Sequence, residues 1–179
     1  MSDYITTYSG THFFPTEPDM KDFHIRDVAH ALSFICRGNG HVKLFFSVGQ
    51  HCINCSLEAE ARGYSERVVL ACLLHDASEA YMSDVPRPFK KYLKDYKKLE
   101  DRLLSLVYEK YLGSDITEAE ARLVKQIDND ILAYDLFYLL DEGCKEDLPE
   151  MKRPFSYEVR SFESVAQEYL ELFQKWMNK

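Results

Sequence analysis

Long hydrophobic runs are missing from this sequence of 179 residues. None approaches the roughly 20 residues needed to span a bilayer, so no membrane partner is expected. The opening stretch MSDYITTYSG lacks the charged-then-apolar pattern of a secretory signal. An excess of positive charge is missing too: 22 Lys and Arg stand against 30 Asp and Glu, a formal net charge of −8. Polynucleotide binding rests on counterion release by a basic surface, so no polynucleotide partner is expected. A small anionic substrate needs only a local cluster of Arg and Lys and stays open. Strand signals are scarce, and no internal repeat or low-complexity segment occurs. The five cysteines are an odd number without framework spacing, which points to reduced thiols and a cytoplasmic location. Cys52 and Cys55 do form a C-x-x-C within HCINCSLEAEA. No second Cys pair or His-x-x-x-His completes a structural zinc site, and no βαβ context supports a redox motif. Two small hydrophobes buried on a helix account for them.

What is present reads as helix. With 46% hydrophobic and 29% charged residues the composition is that of a soluble globular protein. The length predicts one all-α domain over residues 1–179, a compact helical array opening on an irregular strap at 1–21. That strap holds Gly10, Pro15 and Pro18 with Phe13 and Phe14, and has room for a short hairpin. From Asp22 onwards Ile25, Val28, Ala29, Leu32 and Ile35 keep amphipathic helical spacing, broken at Arg37-Gly38-Asn39-Gly40. Ser47 has the character of an N-cap for a helix running to about Arg62, with Gly63 beyond its end. Ser65 caps the next helix, whose run from Val68 to Leu74 is apolar on most of its circumference and therefore central. Pro86 and Pro88 close that segment. Two long charged helices follow, Lys94 to Leu112 and Thr117 to Leu140, separated by Gly113-Ser114-Asp115, and a last one runs from Phe162 to Met177.

The central helix leads into LLHDASEAYMSDVPRP, where His75 and Asp76 stand together, followed by Glu79 and Asp84. If the helix continues, His75 and Glu79 project about 40° apart and Asp76 and Glu79 about 60° apart, in one sector. Burying a carboxylate costs several kcal/mol unless it is paired or metal-bound. Either this sector reaches the surface, or it belongs to a metal site. His51, early on the preceding helix, would meet His75 across a helical hairpin. Asp128 lies beside Ile127 on the face formed by Leu123, Val124, Ile127 and Ile131, whereas Asp130 points away from it. His51, His75, Asp76 and Asp128 thus offer two imidazoles and two carboxylates. Such mixed N and O donors suit one divalent Mn, Co, Fe, Ni or Zn ion, with Mg less natural. Other groups admit structural readings. Glu79 suits a surface salt bridge as well as a water-orienting role, and Asp84 is also ordinary turn chemistry. Arg37 is either a phosphate ligand or a surface arginine at a helix C-terminus. Arg87, Lys90 and Lys91 are either phosphate contacts or a solvated basic face. His41 is a candidate neighbour of the site, while His12, His24 and His30 read as structural. Tyr134–Tyr138 and Phe162–Trp176 read as core or oligomer packing.

The order His, His-Asp, Asp resembles the HD-domain metal-dependent phosphohydrolases. HDASEAYMSDVPRPFK is similar to the subgroup containing bacterial 5′-deoxynucleotidases, as are ICRGNGH at 35–41, FSVGQHC at 46–52 and LVKQIDN at 123–129. The resemblance covers about three-quarters of the chain and implies a helical HD domain. It implies that His51, His75, Asp76 and Asp128 are metal ligands, that Glu79 assists the hydrolytic water, and that Asp84 acts in catalysis. It also implies that Arg37 contacts the substrate phosphate. The family's aromatic sugar-sensing position falls on Gly38 here, which leaves sugar preference open. The expected function is release of phosphate from a nucleoside 5′-monophosphate. Alternatives are hydrolysis of a nucleoside triphosphate, an alarmone or a cyclic nucleotide, or a non-catalytic nucleotide- or metal-binding module. The amphipathic C-terminal helices suit a homodimer.

Overall fold

The computed structural model describes residues 3–178. Strands β1 (Ile5–Thr6) and β2 (His12–Phe13) form an antiparallel hairpin with Ile5 opposite Phe13 and Thr6 opposite His12. The hairpin is tied down by Asp27, a buried carboxylate that accepts bonds from the Thr7 hydroxyl at 2.6 Å and the Ser9 amide at 2.7 Å. Phe13 is fully buried and stacks on Tyr81, so the N-terminal strap is part of the core.

The rest of the chain is helical: α1 (Ile25–Phe34), α2 (Val48–Ala61), α3 (Glu66–Leu74), α4 (Glu79–Met82), α5 (Arg87–Lys90), α6 (Lys94–Leu112), α7 (Glu118–Leu140) and α8 (Phe162–Met177). The termini follow from capping chemistry. Ser47 and Thr117 each form a reciprocal capping box, with Gln50 and Glu120, while Ser65 and Ser161 cap α3 and α8. No helix among the described residues is long and apolar enough to cross a membrane.

Helices α2 and α3 form the central hairpin, with α1 and α8 packed on one side and α7 and α6 on the other. Val69, Ala71, Leu73 and Leu74 of α3 are fully buried, and Tyr169 of α8 donates to the Leu73 carbonyl at 2.7 Å. Gly49 permits the close approach of α1, α2 and α8. A Cβ there would stand 3.0 Å from Val165 Cγ1 and 3.3 Å from the Leu32 carbonyl group.

Two local features depart from expectation. The central helix does not run on through Glu79: α3 ends at Leu74, and residues 75–78 wind more tightly. Ala77 N–H donates to the Leu74 carbonyl at 2.8 Å and Glu79 N–H to that of Asp76 at 2.9 Å, both three-residue spans. Three residues per turn eclipses positions i and i+3, which brings Asp76 and Glu79 closer in direction than an α-helix would. The second departure is α5, in which Pro88 stands within the first turn, where a missing N–H is tolerated.

Candidate metal centre

His51 occupies the first turn of α2, directly after the Ser47–Gln50 capping box, and His75 is the residue that ends α3. The α2–α3 hairpin sets their ring centroids 5.3 Å apart. Each ring commits Nδ1 to an acceptor at 2.8 Å: Asp135 Oδ2 for His51 and the Cys72 carbonyl oxygen for His75. Both Nε2 atoms are thereby left as the ring atoms that could bind a cation. They converge on Asp128 Oδ1, which lies 3.3 Å from His51 Nε2 and 3.8 Å from His75 Nε2. Asp76 Oδ2 lies 3.3 Å from His75 Nε2. His75 Nε2 is buried and makes no hydrogen bond.

Donor atoms around an ion at ~2.1 Å stand ~3.0–3.4 Å from their neighbours, close to these separations. The arrangement therefore fits a divalent cation. The thiols of α2 face the same point. His51, Cys55 and His75, and likewise Cys52, His75 and Asp76, can each bring ligand atoms within 4.8 Å of one another. Cys55 Sγ is 3.5 Å from His51 Nε2. Burial raises the Cys52 thiol to about 11, so in the metal-free protein it stays protonated.

The field of the cluster favours positive charge. Burial works against a charged His75, yet Asp76, with Cys52 and Asp128, outweighs it and holds the imidazole well above the ordinary histidine range. Burial likewise opposes ionisation of Asp128, but hydrogen-bonding interactions with His51 and His75 drive its pKa far down. Asp76 is lowered against its burial by His75, His51 and Arg37.

A cavity of about 410 Å³ opens onto this cluster. Its lining combines charged residues, Arg37, Asp76, Glu79, Asp84, Arg87, Lys90, Lys125, Asp128 and Asp135, with apolar ones that include Val42, Leu132, Leu136, Leu139 and Leu140. A second cavity of about 350 Å³, bounded by His75, Ser78, Leu104 and Tyr108, reaches Asp76 and Asp128 from the side of α6.

Apart from Lys91, the residues singled out as ligands, catalytic groups or phosphate contacts come together in this region. Glu79 is buried, its Oε2 has no hydrogen-bond partner, and Oε1 is 3.6 Å from Lys90 Nζ. Burial, reinforced by Asp76 and Asp84, holds its carboxyl well above the usual carboxylate range. Burial also raises Asp84, with Arg37 opposing it. Arg37 does not sit at the surface. Its backbone N–H donates to Phe46 at 2.8 Å, and the left-handed pair Gly38 and Asn39 turns the chain just after it. The guanidinium then lies 3.7 Å from Asp76, 4.0 Å from Asp84 and 3.5 Å from Asp135. Arg87 donates to Asp128 Oδ2 at 2.7 Å and to Asn129 Oδ1 at 2.9 Å, while Lys125 reaches the same Asp128 oxygen at 2.7 Å. Asp128 thus turns one oxygen to the imidazoles and the other to two cations.

Other candidates lie elsewhere. His41 is exposed, Lys91 lies over the Tyr92 ring, and Asp130 pairs with Arg62 at 2.8 Å. His12 stacks on Tyr4 and His30 on Tyr8, in the strap and its contact with α1. Asp135 and Lys125 were not anticipated. Asp135 stands seven residues after Asp128, two turns on along one face, and that spacing was the available signal.

No protein-family model matches the chain. Uncharacterized protein YfdR of Escherichia coli is 40% identical over 108 residues, 60% of this chain and 58% of that protein. An uncharacterized Rhodobacter capsulatus protein, RCAP_rcc00048, is 37% identical over 108 residues, 58% of this chain and 55% of its own length. The 5′-deoxynucleotidase VV1113 of Vibrio vulnificus is 36% identical over 86 residues, 39% of this chain and 44% of that protein. The chain spans little more than half the length of the first two relatives.

Proposed function

We propose that the chain is a metal-dependent phosphohydrolase of the HD-domain type, releasing phosphate from a nucleoside 5′-monophosphate. The observation that carries this reading is the convergence of His51, His75, Asp76 and Asp128 at the wall of a cavity that also holds four cationic side chains. The relative named as a 5′-deoxynucleotidase supports the same class of reaction. A divalent ion held by these four residues would polarise a phosphoryl oxygen and make water acidic enough to attack near neutral pH.

The protein's own groups do the rest. Arg37, held by ion pairs of 3.5 Å to 4.0 Å, can exchange them for two parallel bonds to a phosphate. Glu79, buried with Oε2 unpaired and its carboxyl held well above the usual carboxylate range, can deliver a proton to the leaving oxygen, or orient water once ionised. Asp84 shares Arg37 with Asp76 and keeps the guanidinium at the mouth of the site. The leucines of α7 offer the nucleoside an apolar wall.

The test is phosphate release from a panel of nucleoside mono- and triphosphates with Mn²⁺, Co²⁺, Zn²⁺ or Mg²⁺. Release from monophosphates, lost in Asp76→Ala while the helical circular dichroism is kept, is the expected result. No metal-dependent release from any substrate would overturn the catalytic reading. A second reading, a substrate with more than one phosphate, is favoured by one observation. Arg87 and Lys125 add two cations on the outward oxygen of Asp128, beyond what a single phosphate needs.

A further inference from the structure

We propose that Asp135 and Tyr157 are positioning residues of the metal centre: Asp135 fixes the ring of His51 and the resting place of Arg37 together, and Tyr157 holds Asp135 in that double role. The proposal rests on reading the cluster as a metal centre.

Asp135 is buried on α7, and its carboxylate meets His51, Arg37 and Tyr157, each on another element. Oδ2 accepts from His51 Nδ1 at 2.8 Å and lies 3.5 Å from Arg37 Nη2. Oδ1 accepts from the Tyr157 hydroxyl at 3.0 Å. An imidazole whose Nδ1–H is committed to a carboxylate presents Nε2 as a lone pair in a fixed direction, the form a cation requires. Asp128, two turns earlier on the same helix, meets that Nε2 side at 3.3 Å. One rigid helix therefore addresses both nitrogens of a single ring.

Tyr157 comes from the segment between α7 and α8. Its ring stacks on Phe46 at 5.1 Å and on Tyr138 at 4.8 Å, which aims the hydroxyl. Phe46 directly precedes the N-cap of the helix that carries His51, and its carbonyl oxygen accepts the Arg37 backbone N–H. The imidazole meant for the cation and the guanidinium meant for the phosphate thus answer to one carboxylate. A residue that only filled space would link neither.

Metal-free wild type, D135N, Y157F and D76A are titrated with Co²⁺ alone, followed by its visible absorption and by calorimetry, and each metal-free protein is melted. Wild type binds one Co²⁺ and D76A does not. D135N binds about 10- to 100-fold more weakly, the range seen when the partner of a ligating histidine is lost. Y157F is weakened in the same direction, although its metal-free melting temperature stays near that of wild type. The proposal is overturned if both variants bind within about twofold of wild type while D76A fails, since the metal reading then stands without it. It falls together with that reading if wild type binds no Co²⁺. Should D135N not fold, Y157F decides alone, because it removes one hydroxyl and leaves the stacked ring in place.

Discussion

At the scale of single residues, the centre is built from groups whose charge is set by their neighbours. Glu79→Gln keeps the shape of the side chain and removes its proton chemistry. Turnover is expected to fall by about 10²- to 10⁴-fold, with Co²⁺ affinity nearly unchanged, as single-turnover assays and titration would show. Arg37→Lys keeps the charge but loses the planar fork, so kcat/KM for the nucleotide falls while metal content stays at the wild-type level. Stability of the metal-free protein depends on pH in two opposite ways. His75 is raised in the fold, so its contribution is complete below the unfolded histidine value of ~6.5 and is lost as pH rises. Asp128 is lowered, so its contribution is complete above the unfolded value of ~3.9 and is lost as pH falls. Glu79 is also raised, so its contribution begins to be lost above the unfolded carboxylate value of ~4.3, and thermal melts in chelator should decline from there upward, with His75 adding to the decline above ~6.5. Saturating Co²⁺ should remove the His75 part of that decline, because the metal takes the place of the proton on His75. A melting temperature that rises steadily from pH 6 to 9 in chelator would contradict this. That His51, His75, Asp76 and Asp128 would be brought together was legible because buried charge beside apolar runs is rare. Asp135 was not, since its role depends on a histidine 84 positions away.

At the scale of elements, helix ends were legible because their signals are local. Ser47 and Ser65 cap as expected, and Thr117 and Ser161 do the same at the heads of α7 and α8. The tightening at 75–78 was not legible, since it satisfies the site and not a local propensity. Ser47→Ala removes one side of the capping box at the head of α2 and should cost about 1 kcal/mol in urea unfolding. A second effect, weaker Co²⁺ binding, is expected on the metal reading, because His51 lies in that first turn. Gly49→Ala tests the packing of three helices. The added carbon meets Leu32 backbone and Val165 tightly, and a loss of ~1–3 kcal/mol is expected from overpacking. An unchanged denaturation midpoint would mean that α1 and α8 yield more easily than their contacts suggest.

At the scale of the whole molecule, a net charge of −8 coexists with a cavity that gathers Arg37, Arg87, Lys90 and Lys125. Those four cations stand beside five carboxylates, Asp76, Glu79, Asp84, Asp128 and Asp135, so only with a divalent ion bound would the cavity be cationic; in saturating Co²⁺ nucleotide affinity should then fall with ionic strength although the protein as a whole is acidic. The all-helical architecture was legible from periodicity and breakers; the path of the segment between α7 and α8 was not, because it has little secondary structure. That segment returns to α2, where the Lys152 amide bonds buried Glu58 at 2.9 Å, and it carries Tyr157 to Asp135. During synthesis His51 and His75 leave the ribosome long before Asp128, Asp135 and Tyr157 exist. On the proposed metal reading, the four donor residues would be complete only once Asp128 has been made, and the support of Asp135 and Tyr157 would follow only after residue 157. Capture of an ion by the full set would then be a late event in the life of the chain, open to competition from whichever metal is most available at that moment.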